Sequence, residues 1–291
     1  MANGIIVIDK PQDWTSHDVV GRCRRLFHER RVGHAGTLDP MATGVLPVFV
    51  GRATRAVEFA SESGKEYIAG LKLGIITDTQ DTTGTVLEQR PVQSGREQLE
   101  EALNAFRGEI LQIPPMYSAL KVKGQKLYEL ARKGVEVERK PRPVTIHALE
   151  VLEQTGEDAY LLRVACSKGT YVRTLCHDIG QRLGCGGTMC SLRRTWAAGF
   201  GLESAVSLEA LAEAAGRGEA EALLRPVDAY FSTYPALTVD ARREKAARNG
   251  AAFPQRGADG TYRVYGPEGE FLLLGRLQDG CMTTIKSFFE V

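Results

Sequence analysis

At 291 residues, 43% hydrophobic and 25% charged, without a long polar or repetitive tract, the chain has the composition of a folded protein, which excludes a disordered or fibrous one. A net charge of +1 carries no global sign of a polyanionic partner, yet the charge is unevenly spread. Residues 121–143 hold eight Lys/Arg against three Asp/Glu, residues 163–194 six against one, and residues 201–228 two against six, so one face can attract phosphate while another repels it.

From the N-terminus, the apolar run at 4–8 (GIIVI) reads as a buried strand that Pro11, Gln12 and Asp13 break. Asp9 and Lys10 close the run before it reaches signal-peptide length, and no later stretch approaches the roughly 18 apolar residues of a membrane helix. A cytoplasmic location without membrane contact is the expectation. A helix follows, capped by Thr15 or Ser16, with Val19, Val20, Cys23, Leu26 and Phe27 along one face. Residues 31–44, with three glycines and a proline, read as a loop that runs into a strand at 45–50.

A strand at 66–73 and an acidic, turn-rich stretch at 77–84 come next. Ser94 and Glu97 form a capping box for a helix with Leu99, Ala102, Leu103 and Phe106 on one face. Residues 114–143 open on Pro114-Pro115 and carry Lys121, Lys123, Lys126, Arg132, Lys133, Arg139, Lys140 and Arg142, the pattern of a basic insertion projecting from the core. Strands at 144–152 and 159–166 lead to a helix in which Tyr171, Leu175, Ile179 and Leu183 keep a helical period. Beyond Gly199 the Ala- and Glu-rich sequence suggests surface helices to about residue 225. From Ala236 a short basic helix, with Gly250 as its C-terminal cap, precedes hairpin strands around 266–269 and through 270–288.

The six cysteines are scattered rather than arranged as a disulfide framework, so reduced thiols are expected. Cys176-His177, Cys185 and Cys190 fit no standard paired-cysteine spacing, and a metal is not expected. A cysteine/histidine metal protein is a distant alternative that a metal assay on the purified protein decides. No Walker-type loop or Rossmann fingerprint is present.

An Asp before Pro is by itself a common turn former. Here it stands in His34-Ala35-Gly36-Thr37-Leu38-Asp39-Pro40-Met41-Ala42-Thr43-Gly44, a run that resembles the signature of the TruB-type pseudouridine synthases. Asp9-Lys10-Pro11, Lys65-Glu66-Tyr67, Thr77-Asp78-Thr79, the run from Ile113 to Lys121, Ser167-Lys168-Gly169-Thr170-Tyr171-Val172-Arg173 and Leu192-Arg193-Arg194 resemble further motifs of that family, in family order, over nearly all of residues 1–196.

The resemblance implies an α/β (α+β) catalytic domain over residues 1–230 with a mixed, largely antiparallel sheet and an inserted thumb at about 114–143. It also implies a small β-rich, PUA-like RNA-binding domain at 236–291. It further implies Asp39 as nucleophile, Arg173 as the guanidinium that aims it, and Tyr67 as a base-stacking residue and candidate for proton transfer. His34, Tyr171, Leu192, Lys10 and Lys121 take substrate-binding roles, with Lys10 and Pro11 shaping the pocket floor and His34 filling the space of an extruded base. The implied substrate is the T-arm loop of tRNA at conventional position 55, with no cofactor, guide RNA or obligatory protein partner. Isomerising uridine involves no net redox change, which fits a chain without a nucleotide-binding fingerprint. Whether the carboxylate adds to C1′, adds to C6 or supports a glycal-like intermediate stays open. A non-catalytic RNA-binding or RNA-folding protein on the same scaffold is the alternative, and intact Asp39, Tyr67 and Arg173 speak against it.

Overall fold

The computed structural model describes residues 1–122 and 124–290; Lys123, named above in the basic insertion, lies outside the described residues. Strand β1 (Gly4–Lys10) leads through α1 (Ser16–Leu26), β2 (Val32–His34), β3 (Thr43–Val50) and α2 (Val57–Ser61) to β4 (Lys65–Leu73). A hairpin of β5 (Ile75–Thr77) and β6 (Val86–Gln89) precedes α3 (Arg96–Leu103) and β7 (Gly108–Gln112). The basic excursion holds β8 (Lys121–Val122), β9 (Gln125–Lys126) and α4 (Leu127–Ala131). The chain then returns through β10 (Arg142–Gly156), β11 (Ala159–Cys166), α5 (Val172–Arg182), β12 (Gly187–Ala197), β13 (Phe200–Gly201) and α6 (Leu208–Gly216).

These strands build one sheet in the order β1-β3-β12-β4-β11-β10-β7, with β2 on β3 and β13 on β12. Every pairing in it is antiparallel except β3 with β12, which run parallel at Thr43–Arg193 and Gly44–Arg194. The sheet is therefore mixed and largely antiparallel, as the sequence predicts. In β1 the apolar residues do not alternate with polar ones because both faces are buried. Ile6 and Ile8 enter the larger core, whereas Ile5 and Val7 enter a second core on the other face.

A second sheet follows in the C-terminal part, from β14 (Ala236–Thr238), α7 (Ala241–Arg248), β15 (Phe253–Pro254), β16 (Gly260–Tyr265), β17 (Phe271–Gln278) and β18 (Cys281–Ser287). Its order is β14-β16-β17-β18-β15, and Val239, Ala247, Val264 and Leu272 lie in its own core. It docks on the first sheet through Phe271 and Phe288, whose rings stack 5.1 Å apart, and Phe231, 5.5 Å from Phe288. Arg55 donates to the Ser287 carbonyl at 3.0 Å, and Lys286 pairs with Glu58 at 2.6 Å.

Four local readings are corrected. Residues 31–44 are not all loop, since Val32–His34 pairs with Val48–Val50. The cap of α3 is Gly95 rather than Ser94, and Gln98 Oε1 accepts from the Gly95 N–H at 3.0 Å. The Ala/Glu-rich stretch yields one α-helix, α6, among 3₁₀ turns. Strand β12 was not anticipated, because register shifts at Met189/Ser191 and Arg194/Trp196 break its two-residue period.

Asp178 on α5 has no hydrogen-bond or ion-pair partner among the described residues, and burial pushes its carboxyl up to about 6. Between about pH 4 and 6 the folded protein thus holds a proton that the unfolded chain has released. This contribution to stability is full below that window and lost as pH rises through it. Asp178→Asn should therefore stabilise the fold by about 1–2 kcal/mol at pH 7.5, a gain that vanishes towards pH 4. Urea denaturation at the two pH values measures it, and an equal gain at both would assign the effect to packing.

Candidate active site

The turn that carries Asp39 is held from below by α1 and β1. Ser16 Oγ accepts from the Leu38 N–H at 2.9 Å and donates to the Leu38 carbonyl at 3.2 Å. The Pro40 carbonyl accepts from the Asp13 N–H at 2.9 Å and from Lys10 Nζ at 3.1 Å. Lys10 is wholly buried, and its ammonium also donates to the Pro11 and Trp14 carbonyls at 2.9 and 2.5 Å. Burial pulls its pKa down to about 8, against the opposing pull of Asp39 and Asp13. With its three donors on backbone carbonyls, Lys10 acts on the turn itself and presents no ammonium to solvent.

Asp39 extends from this turn with its side chain 40% exposed, and Arg173 Nε lies 3.0 Å from its Oδ2. The N-terminal turn of α5 supplies the arginine, which is itself buried. Its other guanidinium nitrogens donate to the Thr79 carbonyl at 3.1 Å and the Tyr117 carbonyl at 2.8 Å, and Asp81 Oδ2 stands 3.7 Å from Nε. Buried Asp81 is in turn held by the Thr79 and Thr83 hydroxyls at 2.8 and 2.5 Å. Arg173 thus ties together the Asp39 turn, the acidic turn at 77–84 and the start of the basic excursion. A guanidinium fixed on several sides can aim a carboxylate without needing to be ordered when substrate arrives.

Tyr67 on β4 is directly opposite Arg194 on β12, and Ala69 is opposite Leu192, so Tyr67, Leu192 and Arg194 share one face of the sheet. Burial raises the Tyr67 phenol above its ordinary value; Asp39 adds to that and Arg194 opposes it. Tyr171 caps α5, its N–H and carbonyl both engaged by the Gln112 amide at 3.0 and 3.2 Å, and its phenol is likewise raised by burial. His34 ends β2 with its ring edge-on to His17 at 5.8 Å. Burial, helped by His17 and Arg194, pulls its pKa down to about 4, so the ring is neutral near pH 7, with a buried Nδ1 that has no partner among the described residues. Lys121 stands exposed on β8, and no hydrogen bond or ion pair ties it to Asp39, Tyr67 or Arg173.

Sequence reasoning missed Arg194, Asp81 and Gln112 as parts of this site. Arg194 is fully buried with no carboxylate partner among the described residues, donating to the Val45 carbonyl at 2.7 Å and the Gly36 carbonyl at 3.0 Å. It explains two glycines of the signature run. A Cβ on Gly44 would meet the Arg194 carbonyl at 2.2 Å, and one on Gly36 would lie 3.2 Å from an Arg194 guanidinium nitrogen, at a φ of +81° that already favours glycine. The visible signal was Leu192-Arg193-Arg194, of which only Leu192 was given a role. Among the described residues no group of three or more His, Cys, Asp or Glu could hold a metal, and no helix is long and apolar enough to cross a membrane.

Residues 24–172 match the family described as TruB family pseudouridylate synthase (N terminal domain), and residues 173–232 match the tRNA pseudouridylate synthase B C-terminal domain. The chain is 45% identical over 284 residues to a tRNA pseudouridine synthase B of Azoarcus, covering 97% of this chain and 93% of that one. It is 42% identical over 296 residues to that of Clostridium kluyveri, covering 98% and 99%. Among solved structures, the crystal structure of a Cbf5-Nop10-Gar1 complex contains a similar chain, with a TM-score of 0.75 and 28% identity over 99% of this chain and 85% of that one.

Proposed function

This chain belongs to the TruB family of pseudouridylate synthases, and from that premise we propose that it isomerises uridine to pseudouridine in tRNA, at conventional position 55 of the T-arm loop. The observation that carries the reading is the Asp39–Arg173 contact at 3.0 Å, near enough to the buried Tyr67 phenol for the Asp39 charge to help raise its pKa. The reaction cleaves N1–C1′, rejoins the sugar through C5 and moves one proton from C5 to N1, so no oxidant, reductant or energy source enters the balance. Asp39 is the nucleophile that takes up the developing electron deficiency. Arg173 aims it, and Tyr67 lies against the base and serves the proton transfer. The uridine is flipped from the loop stack, His34 fills the vacated space, and Tyr171 and Leu192 line the pocket. Lys10 holds the floor through Pro40. The enzyme acts in the cytoplasm without a guide RNA, cofactor or protein partner.

Residues 236–291 form a PUA-like RNA-binding domain, and the excursion at about 114–143 is a thumb that closes on the RNA backbone, with Lys121 among its phosphate contacts. Exposed Lys121, Lys133 and Lys140 have no ion-pair partner among the described residues. Replacing all three with Gln should flatten the dependence of log affinity on log salt by about 0.7–0.9 per lost contact. The single-turnover rate at saturating RNA should stay near wild type. Lost chemistry with an unchanged slope would mean that these lysines organise the site instead of gripping RNA.

The direct test is to incubate an unmodified T-arm stem-loop with the protein, digest the RNA and separate the nucleosides. One pseudouridine per stem-loop, at the target uridine, is expected. Tight RNA binding without product would instead favour the non-catalytic alternative.

A further inference from the structure

The C-terminal end of α1 and the turn after it hold a concentration of positive charge that the site described above does not use. Residues 22–31 contain five arginines (Arg22, Arg24, Arg25, Arg30, Arg31) and His28, against the single acid Glu29. Glu29 is buried and committed to Arg31, accepting from its backbone N–H at 2.8 Å with Nε at 3.6 Å. Arg24 reaches the Val32 carbonyl at 3.2 Å. Arg22, Arg25 and Arg30 have no hydrogen-bond or ion-pair partner among the described residues, and Arg25 and Arg30 are exposed.

The backbone gathers these charges. His28 adopts a left-handed conformation (φ +51°) just past the helix, and the Glu29 N–H returns to the Arg24 carbonyl at 3.2 Å. Arg24, Arg25, His28, Glu29 and Arg30 consequently line one shallow surface concavity of about 360 Å³. Cations near a helix C-terminus are favoured by its dipole, which accounts for Arg24 and Arg25 in the last turn. It does not account for Arg22, a turn earlier, or Arg30, beyond the end. Unpaired like charges held together repel one another in the free protein, a repulsion that a bound polyanion relieves.

Its position names the polyanion. From the patch, β2 runs directly to His34, three residues at about 3.3 Å each, or roughly 10 Å. The other end of α1 places His17 against that same His34. On its flank α1 packs against α6, whose Glu209 and Glu213 are exposed and form no ion pair with the arginines, so the basic surface ends at an acidic border. We propose that Arg22, Arg25 and Arg30 form an RNA-backbone binding surface, separate from the thumb and the C-terminal sheet, that holds phosphates of the substrate flanking the uridine presented to Asp39. This rests on the proposed RNA substrate and adds to it a third gripping surface that orients the duplex along α1.

The test compares the wild-type chain with R22Q/R25Q/R30Q and R22K/R25K/R30K, each checked for an unaltered thermal melting point, in binding to full-length unmodified tRNA across a salt series. The Gln variant should bind more weakly and lose about 2–3 units of the slope of log affinity against log salt, at about 0.9 per lost duplex phosphate contact. The Lys variant, keeping the charge, should restore most of it. A Gln variant with wild-type slope and affinity would overturn the proposal, as would an effect confined to vesicles of anionic lipid with RNA binding intact. Wild-type protein that binds tRNA without making pseudouridine would instead sink the proposed reaction, and the salt series would still judge the patch.

Discussion

Asp39→Asn is expected to abolish pseudouridine formation, with the single-turnover rate at least about 10³-fold below wild type, because the amide cannot act as the nucleophile. The protein should nevertheless fold and hold its substrate. Asn has the shape of Asp and keeps an oxygen for Arg173 Nε, while Arg173 retains the Thr79 and Tyr117 carbonyls. The turn itself is set by Ser16, Asp13 and Lys10, none of which bonds to the Asp39 side chain. RNA affinity should stay within a few fold, since phosphate contacts dominate binding. Nucleoside analysis after single-turnover incubation, alongside a binding titration, separates the two quantities. Appreciable turnover would remove Asp39 from the nucleophile role.

Arg173→Met should damage both chemistry and stability. The arginine is buried and lies between one half-open carboxylate, Asp39, and one buried carboxylate, Asp81. Methionine fills much of the volume but leaves Asp81 with hydroxyl and backbone donors alone and strips a donor each from the Thr79 and Tyr117 carbonyls. Removing one member of a buried charged network costs about 3–5 kcal/mol. Turnover should fall by about 10² or more, since Asp39 loses the contact that aims it and small displacements of a reacting group cost that much. Arg173→Lys restores the charge without the planar fork, so it should recover more stability than rate. Denaturant titration and single-turnover kinetics on the same preparations measure the two effects. Wild-type values in both would refute the pairing.

Much of this was legible because it is local. Thr15 and Asp18 cap α1 reciprocally, and Val19, Val20 and Cys23 lie buried along the face their spacing indicates. The Asp39 turn announced itself as one contiguous run. What stayed hidden depends on distant pairing. Strand β12 has two irregularities in register and a charged residue in its interior, so its pattern resembles a surface segment. Arg194 is buried at no visible cost to the sequence pattern because its acceptors, the Gly36 and Val45 carbonyls, are backbone atoms that any residue could supply. Asp81 reads as one more acid in a turn until Arg173 is seen beside it.

The parallel contact of Thr43 and Gly44 with Arg193 and Arg194 also sets an order of assembly. Its partners are 150 residues apart in sequence. At synthesis rates of about 5–20 residues per second, roughly 8–30 s pass between the making of Thr43 and the arrival of Arg193. During that interval β1, α1 and β3 can pair among themselves. The Gly36 and Val45 carbonyls, however, lack the donor that later binds them, and β4, which can already pair with β11, lacks the β12 neighbour that puts Arg194 opposite Tyr67. Non-local pairing of this kind is slow to form even in a complete chain. The surroundings of Asp39 are thus among the last parts of the first sheet to be completed, and a nascent chain ending before Gly187 carries Asp39 on a turn still missing its Arg194 support.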